Sequence, residues 1–173
     1  MSTRKADFIT LDDLVDELSV DIVRYFFIMR SMNTHLDFDL NLAKDQSDKN
    51  PVFYLQYAYA RICNIIRYGE NQGFKFSEKF DPTLLNESSE IKLLKLMSNF
   101  PTMMETALET LEPQTIAIYL QDLASSFHKF YGNCKVITND EKLSQSRLGL
   151  INGAKIIISI GLSILGVSAP EKM

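Results

Sequence analysis

The 173-residue chain is long enough to bury the core of one domain, and 46% of its residues are hydrophobic, so it is expected to fold on its own. Its 18 basic and 22 acidic residues give a net charge of −4. This excludes a global basic excess of the kind that binds nucleic acid or anionic membranes, and any such binding must be local. Two cysteines and two histidines are too few for a zinc framework or a disulfide scaffold, and no metal site is expected.

The first 45 residues carry more apolar surface than they can bury among themselves. They lack the apolar core of a signal peptide, which fits a cytoplasmic protein. Thr10 and Asp13 resemble a helix-capping pair, residues 19–30 are predicted to form an apolar helix, and residues 34–40 alternate with the period of a short extended segment. This region is expected either to pack on a neighbouring domain or to fold back on the remainder of the chain.

Four amphipathic helices are predicted after residue 45. Capping residues, prolines and glycines mark their ends. The predicted boundaries are Asn50-Pro51 to the region Gly69–Gly73; Ser88 or Ser89 to about Leu111, kinked or split at Pro101; a third helix from Pro113; and a fourth after a capping box of Thr138 and Glu141.

Each predicted helix has an apolar seam at helical spacing. The seams are Leu55, Tyr59, Ile62 and Ile66; Ile91, Leu94 and Met97; Ile116, Leu120, Leu123, Phe127 and Phe130; and Leu148, Ile151, Ile158 and Leu165. Burying all four seams at once favours an all-α fold, an antiparallel helical bundle. Residues 151–167 are interrupted by Asn152 and Lys155 and fall short of the roughly 20 apolar residues of a membrane span. We therefore expect a buried helix and no membrane contact.

No residue pattern in the chain indicates a complete catalytic site. His35 and His128 are far apart in sequence, and no glycine-rich phosphate loop or nucleophile motif is present. Both histidines are interpreted as structural or solvent-facing. Four acids lie close together, and a solvated helix N-terminus explains them better than a metal or acid–base site; they are Asp12, Asp13, Asp16 and Glu17.

The aromatic residues of the helix that begins at Asn50 are more informative. Tyr54, Tyr57, Arg61 and Tyr68 fall on one stripe next to the apolar seam. The stripe can be the rim of the bundle, where tyrosines bury their rings and keep their hydroxyls in water. The rival interpretation is a platform for unstacked bases. Spacing alone leaves both interpretations open.

Several stretches in a fixed order resemble the C-terminal part of class I arginyl-tRNA synthetases, with its all-helical DALR anticodon-binding domain. The resemblance covers essentially the whole chain. The stretches are "MSTRKADFITLDDLVDE" at 1–17, "DIVRYFFIMRSMNTHLDFDLNLA" at 21–43, "NPVFYLQYAYARI" at 50–62, "FHKFYGNCKVI" at 127–137 and "LGVSAPEKM" at 165–173. The resemblance implies two parts: residues 1–45 as the end of the catalytic region with a connecting helix, and residues 46–173 as the anticodon-binding bundle.

The resemblance implies that the catalytic machinery is incomplete in this chain. Met1, Ser2, Thr3 and Arg4 are similar to the KMSKS loop, which in the family stabilises the phosphates of ATP. The HIGH motif and the nucleotide-binding sheet of the family are missing from the sequence. The chain is therefore expected to be inactive alone and to hold no cofactor, whereas the full-length enzyme would use ATP with Mg.

The resemblance also assigns an RNA site. By matched motif, Tyr54, Tyr131 and Met173 would hold unstacked anticodon bases, and Arg61 is a supporting contact. Pro170 would turn the tail across the bundle and bring Met173 to the two tyrosines. The implied partners are tRNA(Arg) and the missing N-terminal catalytic domain, with the protein acting as a monomer. The alternative function is a helical bundle for protein–protein contact.

Overall fold

The computed structural model describes residues 9–31, 34–74 and 80–173, and the regular structure of these residues is helical throughout. This confirms the all-α prediction. The helices are α1 (Leu11–Leu18), α2 (Val20–Ile28), α3 (Leu40–Lys44), α4 (Pro51–Asn71), α5 (Ser88–Ser98), α6 (Phe100–Thr110), α7 (Gln114–Asn133) and α8 (Glu141–Ile164), with a 3₁₀ turn at Pro82–Leu84.

The start of α4 is as predicted, but the start of α8 is not. The Asn50 side chain accepts a hydrogen bond from the Val52 amide at 3.0 Å, with proline at the first helical position. The predicted capping box of Thr138 and Glu141 is wrong, because Asp140 caps α8 by accepting from the Leu143 amide at 3.1 Å. The Thr138 hydroxyl accepts from the Asp140 amide at 3.2 Å and so shapes the loop before the helix.

The predicted split at Pro101 is confirmed, because α5 and α6 are separate helices on either side of Asn99. The predicted face of α5 is wrong. Leu94 is 36% exposed, whereas Leu93 and Glu90 are fully buried. The reason is that Glu90 reaches inward to a buried arginine of α8, and this pairing turns α5 away from the register that its apolar residues alone suggest.

Helix α7 lies at the centre of the bundle and packs on α2, α4, α5, α6 and α8. Its predicted seam is confirmed, as are the seam of α8 and most of that of α4; Ile66 is only partly buried. The buried seam residues are Leu55, Tyr59, Ile62, Ile116, Leu120, Leu123, Phe127, Phe130, Leu148, Ile151, Ile158 and Leu165.

The N-terminal helices fold back on the bundle, the second of the two predicted outcomes. Tyr25 of α2 is fully buried. Its hydroxyl donates to the Ala117 carbonyl at 3.2 Å and accepts from Gln121 Nε2 at 2.9 Å. Burial raises the pKa of Tyr25 to about 12. Helix α2 is thus part of the same core as α7, and the predicted boundary near residue 45 stays a prediction.

The predicted extended segment at residues 34–40 forms no strand. Residues 34–39 are irregular, with extended backbone angles at Asp39, and α3 already begins at Leu40. A strand needs a neighbouring strand to satisfy its backbone groups, and the described residues offer none. Phe38 packs instead on the rings of Phe26 and Phe27, with centroid distances of 5.4 and 5.9 Å.

Helix α8 is long and apolar enough to cross a membrane by length and composition alone, but half of its most apolar window is buried inside the bundle. It also carries Arg147, which is only 8% exposed. The buried face packs on α4, α5 and α7. The prediction of a buried core helix is confirmed.

The ion pair between α5 and α8 generates a stability prediction. Arg147 Nε donates to Glu90 Oε1 at 2.6 Å, and Arg147 Nη1 donates to the Lys135 carbonyl at 2.7 Å. Arg147→Met leaves a buried carboxylate without its partner, which should lower the free energy of unfolding by about 3 to 5 kcal/mol in urea titrations. The matched control is Lys44→Met, which breaks the exposed pair with Glu17 and should cost about 1 kcal/mol at most.

A double variant distinguishes the charge interaction of the pair from the packing of the two side chains. Combining Arg147→Met with Glu90→Met removes both charges and should recover most of the loss. An Arg147→Met variant as stable as the Lys44→Met control would show that the buried pair does not hold α5 on α8.

Candidate RNA-binding site

A cavity of about 920 Å³ opens between the C-terminal half of α4, the end of α7 and the loop that follows α7. Among the residues that the structure describes, no aspartate or glutamate side chain lines it, whereas the chain as a whole has more acids than bases. Three tyrosines, two asparagines, an arginine and a lysine supply the aromatic and polar part of the wall. The lining residues are Tyr57, Ala60, Arg61, Asn64, Ile65, Tyr68, Tyr131, Gly132, Asn133, Cys134, Lys135, Val136, Ile137 and Met173.

Arg61 is clamped between two tyrosines at one wall of this cavity. Its guanidinium carbon lies 5.1 Å from the ring centroid of Tyr57 and 5.1 Å from that of Tyr131. Its Nη1 donates to the Tyr131 hydroxyl at 3.3 Å, and its Nη2 donates to the Tyr57 hydroxyl. The hydrogen bond to Tyr57 raises the pKa of Arg61, and burial opposes this effect. The wall therefore keeps a positive charge between two π faces.

Local sequence explains how the clamp is built. Tyr57 and Arg61 lie four residues apart on α4 and therefore share one face of the helix. Tyr131 is in the last turn of α7, where the buried Phe127 and Phe130 fix the rotation of the helix. Tyr57 and Tyr131 are 43% and 39% exposed, so both side chains are partly accessible to solvent.

His128 lies behind the clamp within a cluster of rings. Its ring centroid is 4.9 Å from that of Tyr54, 5.8 Å from that of Tyr57 and 5.4 Å from that of Phe127. Its Nε2 is buried and has no hydrogen-bond partner among the described residues. Burial, and then the charge of Arg61, lower the pKa of His128. The expected structural role of this histidine agrees with its position, since its ring packs against the rings of Tyr54 and Tyr57.

The structure brings three of the four predicted RNA-contact residues together. Arg61, Tyr131 and Met173 line the cavity, and Met173 is 57% exposed. Tyr54 does not line it; Tyr54 is partly buried one turn earlier on α4 and reaches the clamp through His128. The four predicted ATP-loop residues lie outside the described residues; they are Met1, Ser2, Thr3 and Arg4.

Sequence reasoning left out several residues of the wall. Tyr57 was on the predicted stripe, and its spacing of four residues from Arg61 was the signal that could have identified it. Asn64 follows one turn later on the same face of α4. Asn133 and Lys135 belong to the end of α7 and the loop after it, where no periodic pattern marks a residue.

The C-terminal tail leaves α8 at a different residue from the predicted one. Helix α8 ends at Ile164, and the chain turns at Gly166, whose φ of 67° is in the left-handed region. The prediction that Pro170 ends the helix is therefore wrong, whereas the chain does bend at Glu171, directly after Pro170. Glu171 lies 4.0 Å from Arg67 and 3.8 Å from Lys155, which leads the tail along α4 toward Met173.

Known proteins resemble this chain over most of its length. The family model described as the DALR anticodon binding domain matches residues 55–173. Two relatives named arginine–tRNA ligase, from Salinibacter ruber and Desulforamulus reducens, are 45% and 47% identical over the whole chain. The Thermus thermophilus arginyl-tRNA synthetase structure superposes with a TM-score of 0.77 at 25% identity, covering 99% of this chain and 29% of its own. The chain spans about 31% of the length of the two relatives.

The position of His128 predicts a pH dependence of stability. A histidine whose pKa is lowered by folding binds fewer protons in the folded state, so the free energy of unfolding falls as pH drops through its ordinary pKa. His128→Gln cannot titrate, and its urea-unfolding free energy should fall less than that of the parent between pH 7.5 and pH 5. His35→Gln, at an exposed position, is the matched control and should keep the parent's slope. An unchanged slope in His128→Gln would contradict the buried, neutral state of His128.

Proposed function

The chain belongs to the DALR anticodon binding domain family, and from that premise we propose that it is the anticodon-recognition part of an arginine–tRNA ligase. The family model matches residues 55–173, and the chain is 45% and 47% identical to relatives that carry that name. The proposed ligand is tRNA(Arg), and the proposed binding site is the cavity between α4 and α7.

The observation that carries this proposal is the clamp of Arg61 between Tyr57 and Tyr131. Two partly exposed rings with a cation between them offer flat faces for unstacked bases and a charge for the phosphate backbone. Lys135 adds a further cation to a wall whose described residues include no acidic side chain. The site thus supplies local positive charge in an acidic chain, as RNA binding to such a chain requires.

In the free protein the guanidinium of Arg61 lies 5.1 Å from both ring centroids and donates to both hydroxyls. A base that stacks on either ring would displace the guanidinium, and Arg61 would then be free to bind a phosphate or a base edge. Stacking on an aromatic ring contributes roughly 1 to 3 kcal/mol for each base. Asn64 and Asn133 line the same cavity, and their amides both donate and accept hydrogen bonds, as the edges of extruded bases require.

The remaining parts of the proposal concern the longer protein. Aminoacylation would take place in an N-terminal catalytic domain that binds ATP with Mg, and this chain would contribute only Met1, Ser2, Thr3 and Arg4 to that site. We expect the full-length protein to act in the cytoplasm as a monomer. The comparisons do not favour the alternative of a protein–protein interaction module.

Two variants of the clamp test the proposal. Tyr131→Ala removes a stacking face and should weaken binding of a tRNA(Arg) transcript by about 5- to 150-fold, which corresponds to the stacking free energy of one base. Arg61→Ala removes a charge as well, and should also reduce the steepness with which affinity falls as salt rises. Affinities are measured by fluorescence anisotropy at several salt concentrations.

The controls are residues of the same type outside the cavity. Phe27→Ala and Arg30→Ala change an exposed ring and an exposed guanidinium on or just after α2 and should leave affinity close to that of the parent. A transcript with a different anticodon should bind the parent more weakly. The proposal fails if the clamp variants bind the transcript as tightly as these controls.

A further inference from the structure

The C-terminal tail is held to the N-terminal helix α2 by a small polar cluster that includes Ser168, five residues before Met173. Ser168 donates to the carboxylate of Asp21 twice, from its amide to Oδ1 at 3.2 Å and from its hydroxyl to Oδ2. Gln56 Nε2 donates to Asp21 Oδ2 at 3.0 Å and to the Ser168 carbonyl at 3.1 Å. The three side chains come from α2, α4 and the tail, and together they form a closed network.

We propose that Asp21, Gln56 and Ser168 form a lock that positions Met173 at the cavity, so that α2 sets the geometry of the binding site. The three residues do not line the cavity, and they act through the tail. The consequence for RNA binding rests on the function proposed above, whereas the consequence for the position of Met173 does not.

A second contact between α2 and the tail supports the lock. Gly166 lies against Arg24, one turn after Asp21 on α2, and a Cβ atom at Gly166 would lie 2.7 Å from Arg24 Nη1. Val167, which follows, is 4% exposed. The tail therefore leaves α8 through the turn at Gly166, which lies against α2. Val167 is then buried, and Ser168 is bound by Asp21.

Beyond Ser168 the tail touches the core through the partly buried Ala169, and its polar contacts are weak. Five residues lie between this serine and the chain end, so Met173 can reach at most about 18 Å from the lock. Glu171 contacts Arg67 and Lys155 at 4.0 and 3.8 Å with 62% of its side chain exposed, and ion pairs of this kind contribute little to stability. Release of Ser168 would therefore let Met173 leave the cavity wall.

The hydrogen-bond inventory explains why the lock is specific. Asp21 accepts three hydrogen bonds, which its two carboxyl oxygens with about four lone-pair sites can accommodate. Gln56 is 9% exposed and donates hydrogen bonds from its side-chain amide to both partners. Each member of the cluster is therefore hydrogen-bonded to the other two. Hydrogen bonds to a charged acceptor are stronger than neutral ones.

Methyl NMR of the free chain tests the lock without RNA. The chain has seven methionines, and the signal of Met173 is assigned by its loss on deletion of that residue. In the parent, ring currents from the tyrosines of the cavity should shift this signal away from its random-coil position. In Asp21→Ala it should move to the random-coil position and sharpen, while the other methionine signals stay in place.

Two further variants make the result decisive. Ser168→Ala removes only the hydroxyl of the tail, leaves the helices unchanged and should shift the Met173 signal part of the way. Asp16→Ala changes an exposed acid of α1 and should leave the signal unchanged. A random-coil Met173 signal in the parent, or one that is the same in parent, Asp21→Ala and Ser168→Ala, would overturn the lock.

Binding of the anticodon stem-loop of tRNA(Arg) then tests the role of the lock in recognition. Asp21→Ala and deletion of Met173 should each weaken binding by about fivefold, the lower limit for one stacked base. Combined, they should weaken it no further, because both act through the same contact. If the two fold-losses of affinity multiply in the combined variant, the proposal is overturned. If Tyr131→Ala and the deletion leave affinity unchanged, the proposed function fails, and the NMR result still decides the lock.

Discussion

The burial of one face of α7 is the constraint on which the rest of the molecule depends. Leu120, Leu123, Phe127 and Phe130 are fully buried, and five other helices pack around the helix that carries them. The contact with α8 is so close that a Cβ atom at Gly161 would lie 2.7 Å from Leu120 Cδ2. Because these side chains fix the rotation and depth of α7, they also fix everything that its C-terminal turn presents to solvent.

The candidate site follows directly from this packing. With Phe127 and Phe130 in the core, Tyr131 must emerge at the rim, where it meets Arg61 and Tyr57 of the neighbouring α4. The two interpretations of the aromatic stripe, a bundle rim and a base platform, are therefore compatible. Tyrosines at a rim keep one part of the ring in contact with protein and another part free, and the free part is what an unstacked base requires.

Periodicity predicted the parts of the fold that packing decides. The seams of α4, α7 and α8 were readable because apolar residues recur at helical spacing. The face of α5 was not, because an ion pair with Arg147 overrides the apolar pattern, and the cap of α8 was misplaced because Thr138 competes with Asp140 for the same turn. At the site, Tyr57 had a spacing signal and was passed over, whereas Lys135 lies in a loop without one.

The tail illustrates the limit of reasoning from one local residue. Pro170 is a plausible reason for the helix to end, yet the helix ends earlier and the chain turns at Gly166, where the left-handed backbone favours glycine. What positions the tail is a contact between Ser168 and Asp21, which are 147 residues apart. No pattern within a short window of sequence could reveal that contact.

A crystal structure of this chain bound to the anticodon stem-loop of tRNA(Arg) tests the central claim most directly. The quantity to measure is the separation between the loop bases and the rings of Tyr57 and Tyr131. The account predicts an unstacked base at about 3.5 Å from one of these rings, as van der Waals contact requires, with Arg61 moved out of the clamp onto the RNA. A loop bound elsewhere on the bundle, with Arg61 still between the two tyrosines, would contradict it.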